Sequence, residues 1–237
     1  MRFTRTVKTA ILLLLLCAIS VATEWSVLRA YAAGQSQEAS AQAQPRRTSP
    51  PYTGDLSIFE AKDRAQRLQV ERVMDTLGLK PGVSVADIGA GSGWFTVRAA
   101  RRIGPASKVY AVDINPAFLQ HIRERAQKDR LQNIVTILDK EDNPLLPPNS
   151  VDSVLLLKTY HEIARPVAFL VNLQKALRPG AKVGIIDRNG KGDDHGINSA
   201  TVIDEAQQAG YQLIGQYDFV KGDEGVDYFL VFVSSTK

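Results

Sequence analysis

The sequence predicts an α/β domain built on a doubly wound, mostly parallel sheet. Three observations carry that expectation. From about residue 57 onward, short apolar runs of strand length alternate with stretches of helical periodicity. A glycine-rich turn, GAGSG (89–93), directly follows the first of those runs. The last two runs are separated by a short loop and can pair as an antiparallel hairpin.

The elements follow in order. Residues 57–77 place Ile58, Ala61, Ala65, Leu68, Val73 and Leu77 at helical spacing, and Gly78 ends the helix. VSVADI (83–88) is a strand, 94–103 a helix, and KVYAVDI (108–114) a strand. Pro116 opens a helix that runs to about Lys128. NIVTIL (133–138) is a strand, and Pro144, Pro147 and Pro148 mark an irregular loop. SVDSVLLLK (150–158) is a strand, 166–177 a helix, and AKVGIID (181–187) a strand. NSATVIDEAQQAG (198–210) is a helix, and YQLIGQYDF (211–219) and VDYFLVFVS (226–234) are the terminal strands. Sheets of this kind bind ligands at the carboxyl ends of their strands.

Charge narrows the partner. The chain has a net charge of +4, yet residues 1–47 carry six basic and two acidic side chains, so the rest is neutral. A nucleic-acid binder carries its basic excess on the domain itself, which argues against DNA or RNA. The one cysteine, Cys17, rules out a disulfide framework within the chain.

The N-terminus reads as an address. MRFTRTVK (1–8) is basic, and AILLLLLCAISVA (10–22) is an apolar run of 13 residues. That is short for a membrane span, which needs about 20 residues, and fits a secretory signal. Ala30-Tyr31-Ala32 supplies a small-x-small cleavage pattern, and an uncleaved anchor is the alternative. Residues 1–32 are therefore expected to be a signal peptide or membrane anchor that places the domain outside the cytoplasm. Residues 33–54, rich in Gln, Ser, Ala and Pro, are expected to be a disordered linker, and 55–237 the domain.

The glycines point away from phosphate. The spacing is G-x-G-x-G rather than the dinucleotide G-x-G-x-x-G, and no phosphate loop of the G-x-x-x-x-G-K-[ST] type is present. Asp87, two residues before Gly89, repels a pyrophosphate and attracts a cation. Asp113, twenty residues after Gly93, suits hydrogen bonds to both hydroxyls of a ribose.

DIGAGSG followed by AVDINP resembles the first two motifs of class I S-adenosylmethionine-dependent methyltransferases. NPLLPPNSVDSVLLL and LRPGAKVGIID resemble that family's fourth strand with its preceding loop and its Pro-Gly turn with the fifth strand, with Ala181 where a second glycine is usual. The resemblance covers about residues 56–235. It implies a Rossmann-like sheet with an antiparallel C-terminal strand, and S-adenosyl-L-methionine as cofactor. It implies cofactor contacts from Gly89, Ala90, Gly91 and Gly93, and from Asp87 toward the methionine amino group. Asp113, with Ile114 beside it, would take the ribose. Asp139 or Asp142 would face the adenine, and Lys158, after the fourth strand, would also contact the cofactor.

The reacting end is expected just after that strand, at Tyr160-His161-Glu162. His161 can serve as a base, Glu162 can orient it, and Tyr160 flanks them. The [DNS]-P-P-[YFW] signature of nucleic-acid amino methyltransferases is missing there. No tight ligand spacing supports a metal. The expected function is methyl transfer to a small-molecule acceptor. A non-catalytic cofactor-binding module and a protein side-chain methyltransferase are the alternatives.

Overall fold

A computed structural model describes residues 45–222 and 225–235. The signal or anchor expected over 1–32, and the first part of the linker, lie outside these residues. Among the described residues, no helix is long and apolar enough to cross a membrane.

Seven strands form one sheet in the order β3-β2-β1-β4-β5-β7-β6. They are β1 (Val85–Ile88), β2 (Val109–Asp113), β3 (Ile134–Leu138), β4 (Val151–Leu157), β5 (Leu177–Asp187), β6 (Tyr211–Tyr217) and β7 (Tyr228–Ser234). The first five are parallel, and β7 runs antiparallel between β5 and β6. The expected doubly wound sheet and terminal hairpin are both present. The strand order reverses between β1 and β4, which opens a crevice at their carboxyl ends.

The central strands are buried on both faces, and their side chains alternate between two apolar layers. Ala86, Ile88, Val154 and Leu156 pack with Phe169, Leu173 and Val202 on one face. Val85, Leu155 and Leu157 pack with Leu77, Trp94, Ile103 and Phe229 on the other. This period of two turns Asp87 toward the second face, under helix α3 (Trp94–Ile103).

Helices α4 (Pro116–Lys128) and α6 (Ser199–Gln208) begin at asparagine caps. Asn115 accepts from Ala117 N at 3.0 Å, and Asn198 accepts from Ala200 N at 2.9 Å. Helix α5 (Pro166–Gln174) ends three residues before its expected limit, because Leu177 already pairs with Val151 in the sheet.

The helix expected over 57–77 is three pieces. A 3-10 turn (Leu56–Glu60), α1 (Arg64–Arg67) and α2 (Val70–Leu77) replace it. Gln69 breaks the run with φ 46°, and its side chain donates to Phe219 O at 2.8 Å. Only α2 carries a complete buried stripe, from Val70, Val73, Met74 and Leu77. Ile58, at 57% exposure, finds no core to enter.

Residues 45–54, expected to belong to the linker, pack on the domain. Arg46 N donates to Ala164 O at 2.9 Å, and its guanidinium pairs with Glu205 at 2.8 Å. Ser49 is buried, donates through its amide to Gly192 O at 2.9 Å, and accepts from His195 N at 2.8 Å. A polar composition predicts disorder only where no partner satisfies the chain, and here the domain does.

Candidate active site

A cavity of about 520 Å³ opens at the carboxyl ends of β1, β2 and β4. Its floor is the glycine turn. Gly89, Gly91 and Gly93 all have positive φ, at 68°, 53° and 73°. A Cβ on Gly89 would lie 2.2 Å from Thr159 Oγ1, across the cavity floor. A Cβ on Gly91 would meet the Phe59 ring at 3.5 Å. Gly93 differs: it precedes α3, does not line the cavity, and would press a Cβ onto Ile122 at 2.9 Å. Its place is in helix packing.

Four of the turn's five amides have partners within the protein. Gly89 N and Ala90 N donate to Val112 O at 2.8 and 3.0 Å, and Gly93 N to Ala90 O at 2.8 Å. Gly91 N donates to Asp113 Oδ2 at 2.9 Å. The row of free amides that grips a phosphate is therefore missing.

Three carboxylates line the cavity at the ends of β1, β2 and β3. Asp87 is buried and accepts from Thr96 Oγ1 at 2.5 Å. Burial pushes its pKa up to about 6, opposed by the Thr96 bond and by the charge of Arg64. Asp113 accepts from Gly91 N and, at 2.8 Å, from Asn115 N, one bond on each oxygen. Burial raises its pKa against those bonds, and each oxygen keeps a further acceptor position. Asp139 is pushed up to about 7 by burial and by the charge of Asp113. Its buried Oδ1 has no hydrogen-bond partner among the described residues.

Asp142 stands outside the lining residues, with its carbonyl accepting from Asn172 Nδ2 at 2.9 Å. Ile114 lines the cavity with an exposed apolar side chain, a surface on which a flat ring can rest. Lys158 also lines it, but Nζ is held 2.6 Å from Oδ1 of Asp227, in the loop before β7.

Tyr160, His161 and Glu162 form a 3-10 turn that points them in three directions. Tyr160 is buried away from the cavity. Its hydroxyl donates to Glu205 Oε2 at 2.8 Å, and Arg46 lies over its ring at 5.0 Å. His161 is buried too, with Nδ1 2.9 Å from Asp187 Oδ2. Only Glu162 lines the cavity, with Oε1 3.9 Å from His161 Nε2. Burial pushes the Glu162 pKa up to about 7, opposed by the charge of His161. The partner that orients His161 is thus Asp187, not Glu162.

The N-terminal part of the domain supplies walls that sequence reasoning missed. Thr48, Pro51, Tyr52, Thr53, Phe59 and Arg64 all line the cavity. Tyr52 and Phe59 meet edge to face at 5.4 Å. Glu60 fastens the 3-10 turn to the glycine turn by accepting from Ser92 Oγ at 2.7 Å and Arg125 Nη1 at 2.5 Å. The sequence signal was the pair of aromatics, Tyr52 and Phe59, on either side of the start of the expected helix.

These features fit S-adenosylmethionine. The buried orphan oxygen of Asp139 needs a donor, Asp113 has acceptor positions left, and Asp87 offers charge to a cation.

Comparison with known proteins agrees with the geometry. The model of the "Methyltransferase domain" family matches residues 79–213. A demethylmenaquinone methyltransferase of Tropheryma whipplei is 34% identical over 111 residues, covering 47% of this chain and 44% of the relative. A 2-phytyl-1,4-naphtoquinone methyltransferase of Trichormus variabilis is 32% identical over 127 residues, covering 51% and 53%. The chain therefore spans about half the length of the curated relatives it matches. A SAM-dependent methyltransferase structure from Aquifex aeolicus superimposes with TM-score 0.66 at 24% identity, covering 76% of this chain and 98% of that one, and so shares the fold. With the model matched from Leu79 to Leu213, across the glycine turn and all three acids, the chain belongs to the methyltransferase-domain family.

Proposed function

We propose that the protein transfers the methyl group of S-adenosylmethionine to a small aromatic acceptor of the quinol class. One observation carries the cofactor half of this reading. Three acids, the buried Asp87 and Asp113 and the half-buried Asp139, surround a glycine turn of which four of the five amides are already engaged. Such a site favours a cationic nucleoside over a phosphorylated one.

When bound, the cofactor supplies a methyl group on a positively charged sulfur. The protein's part is positioning and exclusion of water. Asp113 holds the ribose hydroxyls, Asp139 accepts from the adenine edge, and Asp87 attracts the ammonium. Pro51, Tyr52, Phe59, Ile163 and Phe169 line the remaining wall and present apolar, partly aromatic surface to an acceptor ring. Glu162 is the group there that could take a proton from the acceptor. Its raised pKa keeps it close to neutrality, where such a base works best. The quinone names of the two curated relatives support the acceptor class.

The N-terminal address belongs to the same proposal. An export signal or anchor in residues 1–32 would put the domain at or beyond the membrane, beside lipid-soluble quinols. The cofactor would then have to be supplied there. N-terminal sequencing of the mature protein after cell fractionation tests this; an intact, cytosolic chain overturns it.

The activity test is transfer of radiolabelled methyl to a reduced, demethylated naphthoquinone. Label in the extracted quinol supports the reading. Binding of S-adenosylhomocysteine without label in any quinol overturns the acceptor class, and absence of binding overturns the cofactor.

A further inference from the structure

We infer, building on the quinol reading, that Lys158 is the counter-charge for an anionic oxygen of the acceptor. This narrows the acceptor class to aromatic rings whose hydroxyl can ionise in the site.

Charge sets the requirement. When a hydroxyl on an aromatic ring gives its proton to Glu162, the bonding electron pair stays on the oxygen. The carboxylate becomes neutral and the acceptor becomes the anion. An anion in a largely apolar cavity needs a cation beside its oxygen. Asp87, Asp113 and Asp139 line the same cavity and repel it.

Among the described residues, three cationic side chains line the cavity: Arg64, Lys140 and Lys158. They stand at different places. Arg64 lies over the Trp94 ring at 4.6 Å and the Phe59 ring at 5.6 Å, and those rings flank the glycine turn. Lys140 follows Asp139 on the loop after β3, beside the acid proposed for the adenine edge. Lys158 directly follows β4, on the segment that carries Glu162 four residues later. It is the cation next to the base.

Its backbone and side chain are both set. Lys158 has φ 58°, in the left-handed region that side chains other than glycine seldom adopt. Such a conformation persists only where the surroundings impose it, and it clusters at functional sites. Lys158 N donates to Ile186 O at 2.8 Å, and Nζ donates to Asp227 Oδ1 at 2.6 Å. Asp227 is 2% exposed, and its own N donates to Val220 O at 3.0 Å. The acid is thus buried, while the lysine keeps 27% of its side chain open. A pair of this kind is weak as a stability device, because desolvation offsets the attraction. As a holder for a cation it is effective: an ammonium has three N–H donors, and Asp227 Oδ1 takes one. Among the described residues, Nζ has no other acceptor.

The test uses two bicyclic probes that differ in the charged oxygen: 4-nitro-1-naphthol, which is a naphtholate at pH 8, and 1-nitronaphthalene. Affinities are measured by calorimetry on the full chain saturated with S-adenosylhomocysteine, so that the probes report on the acceptor part of the cavity. Glu162→Gln serves as the background, standing for the base after it has taken the proton. Adding Lys158→Met should weaken the naphtholate by about tenfold or more, the range of one charge-assisted hydrogen bond. It should leave 1-nitronaphthalene within about threefold. Lys158→Arg, which keeps the charge, should keep most of the naphtholate affinity. Lys158→Gln, which keeps a donor for Asp227, should repeat the selective loss and covers a folding failure of the Met variant. Unchanged naphtholate affinity in the Met or Gln variant overturns the inference. Equal weakening of both probes makes Lys158 a packing residue and overturns it too. If neither probe binds the saturated protein, the acceptor reading falls and takes the inference with it. If S-adenosylhomocysteine itself does not bind, the cofactor reading falls first.

Discussion

Nδ1 of His161 lies 2.9 Å from Oδ2 of Asp187, and both residues are buried. The same carboxylate accepts from His161 N at 3.2 Å and, through Oδ1, from Arg188 N at 3.0 Å. A carboxylate on Nδ1 makes that nitrogen a donor, and Nε2 faces Glu162 Oε1, 3.9 Å away. Asp187, His161 and Glu162 thus run in sequence from the core to the cavity wall.

That order predicts a tautomer. Long-range proton–nitrogen NMR of the wild-type protein should show His161 protonated at Nδ1 at neutral pH. Asp187→Asn replaces one acceptor oxygen with an NH2 donor and removes the charge, which disfavours the Nδ1 proton, and should reduce stability by about 1–3 kcal/mol, the cost of leaving buried groups unsatisfied. An unchanged tautomer and an unchanged urea midpoint in the variant would show that the pair has no such role.

Stability should fall as pH rises from about 4 to 7. Four cavity acids have folded pKa values raised above their ordinary range: Glu162 from 4.5 to about 7, Asp139 from 3.8 to about 7, Asp87 from 3.8 to about 6, and Asp113 in the same direction. Between those limits the unfolded chain has released protons that the folded chain still holds. The stability present below the unfolded values is therefore lost as pH climbs through the folded ones. Thermal melts across this range should show the decline, and Asp139→Asn and Glu162→Gln should each flatten it. A rising or flat profile in the wild type would contradict the burial of these groups.

Gly89 and Gly93 should separate binding from packing. In Gly93→Ala the new methyl presses on Ile122 and the positive φ becomes strained, at about 1–2 kcal/mol for the backbone alone. Stability should drop while affinity for S-adenosylhomocysteine in the remaining folded protein holds. In Gly89→Ala the methyl meets Thr159 at the cavity floor, so both quantities should suffer. Urea denaturation and calorimetry read the two effects separately, and equal effects from both variants would place Gly93 in the site after all.

Much of this was legible in the sequence, and the failures have physical causes. The strand–helix alternation, the start of α3 after Gly93 and the start of α4 at Pro116 follow from local rules, because glycine and proline fix the backbone wherever they stand. Asp87 and Asp113 are placed by strand register: Ile88, next to Asp87, pairs with Val112, next to Asp113. Tyr160-His161-Glu162 reads as one cluster because the three are adjacent. A 3-10 turn separates successive side chains by a third of a turn, so one faces Glu205, one Asp187 and one the cavity. The break at Gln69 and the docking of residues 45–54 depend on partners more than a hundred residues away, such as Phe219 and Glu205, and periodicity carries no trace of them.

The docked segment gives the last prediction. Arg46 satisfies Glu205 with two hydrogen bonds, of 2.9 and 2.8 Å, and a further N–H reaches Tyr160 O. Glu205 is largely buried, and burial raises its pKa against the charge of Arg46. Arg46→Met would leave that carboxylate with the Tyr160 hydroxyl as its remaining named partner. Stability should fall by about 3 kcal/mol, as when one partner of a buried pair is removed. Because Thr48, Pro51, Tyr52 and Thr53 line the cavity just beyond Arg46, the same change should expose residues 45–55 to limited proteolysis. Arg46→Met combined with Glu205→Gln should recover much of the stability, since no unpaired charge remains, yet leave the segment sensitive to protease. If Arg46→Met resists cleavage as wild type does, the segment is held by Ser49 and its partners Gly192 and His195 instead.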